Sequence, residues 1–91
     1  MSVYVDKLQE CLTNPNWPYT RSCHLMADSL VELIFFGKQI GLSLGWIQHR
    51  TAGLLHFDLN VTMREKAVKA GAIEIDRKQV VELIRKRRAS E

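Results

Sequence analysis

The chain has 91 residues, enough for one compact domain, because two cores of half that length would each bury too little surface. A hydrophobic fraction of 46% sets it among globular rather than disordered chains, and no apolar run reaches the ~18 residues of a membrane span. The net charge of +3 is concentrated at one end: Arg85, Lys86, Arg87 and Arg88 supply four positive charges, and taking them away leaves −1 on the rest, so the basicity does not describe a nucleic-acid-binding surface.

That cationic run complements the negative end of a helix dipole. It separates a domain over residues 1–84 from a basic C-terminal tail over 85–91. The opening MSVYVDKL lacks the basic start and apolar block of a secretory signal, so a cytoplasmic protein is expected. In that compartment Cys11 and Cys23 are reduced thiols, and Cys23, beside Leu25 and Ala27, reads as a packing residue.

In chain order, Ser2 to Asp6 alternates as a strand, with Val3 and Val5 on one side and Tyr4 and Asp6 on the other. Both prolines fall between Leu12 and Thr20, which reads as a loop carrying Trp17 and Tyr19. Ser22 to Ala27 makes a short strand. Ser29 with Glu32 then forms a capping box for a helix built on Leu30, Leu33, Ile34, Gly37 and Ile40, and Gly41 suits its left-handed end.

Leu42 to His49 alternates as another strand, with Trp46 buried on it, and RTAGLL follows as a loop. His56 to Leu59 is a brief extended piece. Thr62 with Glu65 opens a short helix that closes at Gly71, Ala72 to Ile75 is a strand, and Asp76 caps a last helix with the stripe Val80, Val81, Leu83 and Ile84. Strands alternating with helices predict a single small α/β domain, three-layered, with a short, mostly parallel sheet and about three helices.

Reactive side chains gather at two places. Arg21, Ser22, His24 and Asp28 crowd the stretch before the first helix, whose orphan N–H groups favour an anion, with Arg21 as a bidentate clamp. The competing reading has Asp28 capping the helix and His24 bonding a backbone carbonyl. On an extended segment His56 and Asp58 point the same way, and Thr62 and Arg64 follow at the next helix start, where Arg64 has Glu65 as an alternative partner. Trp17, between the prolines, is the better ligand-facing aromatic, and stacking on a base contributes roughly 1–3 kcal/mol.

His24, His49, His56, Asp58 and Cys23 have the atom types of zinc ligands, but no paired motif such as Cys-x-x-Cys or His-Glu-x-x-His is written. No metal and no cofactor are therefore expected. Ser22 or Cys23 with His56 and Asp58 spells a triad without a nucleophile elbow around it.

VYVD near the start, RSCHLMADSLVEL, IGL followed by WIQ, HFDL and the R-x-x-A-V-x-A-G-A run together resemble domain of unknown function 4031, a family of small proteins from bacteria and their phages. The resemblance covers roughly Val3 to Ile75. It departs at Leu30, where the family carries proline, and the basic end lies outside the pattern. It implies an α/β fold and a set of polar motif positions, Tyr4, Asp6, His24, Asp28, Gln48, His56, Asp58 and Arg64, without implying a reaction.

The reading that follows is a binding protein for a small phosphate-containing nucleotide derivative, which in a phage would capture a host immune signalling nucleotide. Its alternatives are a small hydrolase or phosphodiesterase with His24 and His56 as acid and base, and a nucleic-acid or protein adaptor acting through Arg85 to Arg88. So short a chain encloses only a shallow pocket alone, so a homo-oligomer is expected.

Overall fold

The computed structural model of the chain describes residues 2–49 and 55–89. The strands are β1 (Val3–Val5), β2 (Gln9–Glu10), β3 (Arg21–Ala27), β4 (Gln48–His49), β5 (Leu55–Leu59) and β6 (Ile73–Glu74), and the helices are α1 (Leu30–Gln39), α2 (Val61–Lys69) and α3 (Arg77–Ala89). They form one sheet in the order β4-β5-β3-β1-β6, with β2 paired to the first residues of β3.

The sheet is mixed and mostly antiparallel, which corrects the parallel expectation. Among the described residues only β1 and β6 pair in parallel; β1–β3, β2–β3, β3–β5 and β4–β5 are antiparallel. The cause lies in the order of the strands. Each helical connection does join strands of the same direction, β3 to β4 across α1 and β5 to β6 across α2. Those strands are not neighbours, because β5 inserts between β3 and β4, while β3 and β1 insert between β5 and β6.

Alternation along β3 separates two layers of packing. Cys23, Leu25 and Ala27 face α1 and α2 in a core that includes Val5, Leu33, Phe57, Leu59 and Ala67. Gly37 lets α1 approach closely, since a Cβ there would lie 2.8 Å from the Phe57 ring. On the opposite face Met26 meets Ile75 and Leu83, with Tyr4, Val80 and Ile84 around them, so α3 forms the third layer. Val81 is left exposed on α3.

Four of the five expected turn and cap devices hold. Ser29 Oγ accepts from the Glu32 N–H (3.2 Å), and Gly41 and Gly71 take positive φ of 90° and 112°. Asp76 and Gln79 cap α3 reciprocally, at 2.8 and 3.0 Å. The fifth moves: α2 is capped by Asn60, whose Oδ1 accepts from Met63 N–H at 2.8 Å, so Thr62 sits inside the first turn.

The strand expected over Leu42–His49 is reduced to β4. Leu44–Trp46 instead forms a 3-10 turn around Gly45, where a residue without a side chain weakens a strand. Trp46 is thereby turned out of the core, 59% exposed. Of the expected RTAGLL loop, residues 50–54 lie outside the described residues, as do residues 90 and 91 of the expected tail. The basic stretch begins as helix, since α3 runs to Ala89.

Candidate functional site

The pairing register builds the site. β3 and β5 place His24 directly opposite Asp58, and β4 and β5 place Gln48 opposite His56. Because β5 alternates, His56 and Asp58 share a face, the one that carries His24 on β3. On that face α3 covers Met26 and Tyr4, and the carboxylates of Asp6 and Asp58 lie beside His24.

Asp6, just beyond β1, holds His24 twice. One carboxylate oxygen accepts the His24 backbone N–H at 2.6 Å and the other meets the ring Nδ1 at 2.7 Å. An ionised carboxylate only accepts, so Nδ1 carries the proton and Nε2 is the nitrogen turned toward Asp58. Asp58 Oδ1 lies 3.8 Å from His24 Nε2 and 3.5 Å from His56 Nε2. The two imidazoles meet edge to face, with centroids 4.9 Å apart and an interplanar angle of 86°. His56 is buried at 4% exposure, whereas His24 and Asp58 remain a quarter exposed.

Asp58 also borders an open cleft of about 650 Å³. Trp17, Tyr19, Trp46, Gln48 and Lys66 are among its other walls. The loop that presents Trp17 is ordered by its own backbone: Asn14 and Trp17 exchange N–H···O bonds at 2.9 and 3.0 Å, and Asn14 Oδ1 accepts from Asn16 and Trp17. Trp17 and Tyr19 pack edge to face at 5.0 Å. Among the described residues the buried Trp17 Nε1 has no hydrogen-bond partner.

Asp6, His24, Gln48, His56 and Asp58 thus come together at the β1-β3-β5-β4 surface, with Trp17 and Trp46 at the adjoining cleft. The idea that His24 and Asp28 line one crevice at the start of α1 is overturned. His24 lies mid-strand, and Asp28 accepts from Ser2 N–H and from Tyr4 OH, both at 2.9 Å, at the far end of β3. Burial and that hydrogen bond push the Tyr4 phenol above its ordinary range. A crevice at the carboxyl ends of parallel strands presupposes a parallel sheet, which this is not.

Arg64 is engaged within the fold: its Nε donates to the Asp6 carbonyl and its Nη1 to Glu74, each at 3.0 Å, rather than pairing with Glu65. It thereby props the segment bearing Asp6. Arg21 is exposed beside Glu10, and Ser22 is half-buried opposite Gln9. Cys23 belongs to the core. Burial first, and then the nearby Asp6 carboxylate, push its thiol up to about 12, so it is not a nucleophile at neutral pH.

Lys66, Asn60 and Met63, which carry no motif, also line the cleft. Lys66 had no distinguishing signal, being one of several lysines on amphipathic helices. Asn60 did have one, as an N-cap residue preceding a helical run.

Neither the curated proteins nor the solved structures contain a match to the chain. Residues 3–87 match the family described as Protein of unknown function (DUF4031), which is nearly the whole domain and includes every residue of the histidine–aspartate face. The chain therefore belongs to the DUF4031 family.

Proposed function

We propose that the chain binds a small molecule combining a flat ring with a phosphate, a nucleotide derivative, in the Trp17–Trp46 cleft. The observation that carries this is the composition of the walls: Trp17, Tyr19 and Trp46 offer stacking surface while Lys66 and Asn60 offer donors. The volume of about 650 Å³ falls within the ~300–1,000 Å³ of small-molecule sites. Capture without turnover would suit sequestration of a signalling nucleotide. Calorimetric titration of the purified chain against nucleotides and sugar phosphates tests the proposal. Micromolar or tighter binding that weakens more than tenfold in Trp46→Ala and Lys66→Ala is the expected result. Indifference to every phosphate-bearing compound defeats it.

The edge-to-face histidine pair beside Asp58 favours a second reading, a phosphodiesterase or other hydrolase with His24 and His56 as acid and base. Product formation that disappears in His56→Ala while binding persists would select it over capture. The cleft is open and α1 exposes Val31 and Phe35, which supports a homo-oligomer in which a second copy covers one or both. Light scattering on Phe35→Lys, expected to reduce the assembled mass, tests that expectation.

A further inference from the structure

We propose that His24, His56 and Asp58 form a binding site for one divalent transition-metal ion, with Asp6 orienting His24 from behind. The inference goes beyond the reading of the cleft and does not depend on what the cleft holds.

Four observations converge on it. The three side chains each offer a ligand atom, and all of these atoms lie within 4.8 Å of one another. They come from two hydrogen-bonded strands, so the sheet ladder holds their backbones in place before any ion arrives. The separations from Asp58 Oδ1 to the two Nε2 atoms, 3.5 and 3.8 Å, need to contract only slightly. Ligands at about 2.0–2.1 Å from zinc in a tetrahedron stand roughly 3.3–3.4 Å apart. Finally, Asp6 bonds His24 Nδ1 at 2.7 Å, the outer-shell contact that metal-bound histidines almost always make.

The donor set selects the ion. Two imidazoles and one carboxylate suit zinc, iron, cobalt or nickel, whereas magnesium and calcium prefer oxygen alone. Two carboxylates beside two imidazoles also form a charge set that a dication complements. Three protein ligands leave coordination positions open, and Asp58, which lies in both the cluster and the cleft wall, puts those positions next to the cleft. A metal there would offer a phosphate oxygen a cationic partner beside Asp58, where the carboxylate alone would repel it.

The test uses the chelator-stripped full chain without any nucleotide, so its failure is separate from failure of the cleft proposal. Cobalt titration should give ligand-field absorption in the visible that saturates at one equivalent and is displaced by zinc. Nitrogen-15 spectra of the histidine rings should show two Nε2 resonances moving on zinc addition. His24→Ala, His56→Ala and Asp58→Asn should each abolish stoichiometric binding, with folding checked by circular dichroism. Asp6→Asn should weaken binding by about 10–100-fold without changing the one-equivalent endpoint. The proposal falls if wild-type protein gives no saturable cobalt absorption, if magnesium competes as well as zinc, or if folded His24→Ala and His56→Ala chains bind as before. Should those variants fail to fold, the wild-type cobalt and nitrogen-15 measurements decide alone.

Discussion

The two faces of β3 divide its seven residues between them and make opposite use of their shares. Cys23, Leu25 and Ala27 go under α1 and α2 into a core with almost no exposed surface, where only shape and apolar area matter. Ser22, His24 and Met26 go to the other face, where α3 packs on Met26 and a gap in the cover leaves His24 a quarter exposed. The gap leaves room for a half-buried polar cluster, held by hydrogen bonds. A sheet with complete cover on both sides would have had to bury His24 and Asp58 outright or replace them. Incomplete cover is thus what permits a site on so small a scaffold.

Substitutions can be aimed at either side of this contrast. The largest effect is expected on the covered face: Phe57→Ala should cost about 3–5 kcal/mol, because the ring is fully buried and packed against Gly37. Urea unfolding measures it, and a loss below about 1 kcal/mol would show that the two faces differ less than the packing says.

The next effect is a pH dependence of the covered face. The Cys23 thiol is pushed up to about 12, so between its unfolded value and that point the unfolded chain has lost a proton that the folded chain retains. Its contribution to stability is complete below that window and is lost as pH rises through it, by up to about 1.4 kcal/mol per pH unit. Tyrosines and lysines titrate there too, so the readout is the difference in alkaline slope between wild type and Cys23→Ala. Equal slopes would contradict the burial argument.

The smallest effect belongs to the partly open face. Tyr4→Phe removes one hydrogen bond to Asp28 and should cost about 0.5–1.5 kcal/mol, while leaving metal and nucleotide titrations unchanged. A change in either titration would mean that the Tyr4–Asp28 end and the His24 end act as one site after all.

Local chemistry was well written in the sequence, and neighbour relations were not. The caps at Ser29 and Asp76 and the left-handed glycines Gly41 and Gly71 are decided within four residues, so a short window contains their cause. That His56 and Asp58 share a face follows from strand alternation alone. The sheet's hand of pairing is different in kind. Strand directions across α1 and α2 matched the parallel expectation, but which strand lies beside which is settled by long-range packing of two- and three-residue strands. Trp46 lies outside the core for a related reason, since Gly45 breaks the strand alternation that would bury it. The meeting of His24 with His56, separated by 32 positions, is visible only through the β3–β5 register.

Asp6 grips His24 by both its amide and its ring, and this ties chemistry to architecture. An imidazole tethered only by its ring can swing away on a rotamer change, but this one shares its anchor with the main chain where β1 ends. Anything that draws on Nε2 therefore tugs, through a single carboxylate, on the seam between two strands. The His24 amide proton becomes an internal gauge, exchanging more slowly with solvent when the ring is engaged and faster when that seam opens.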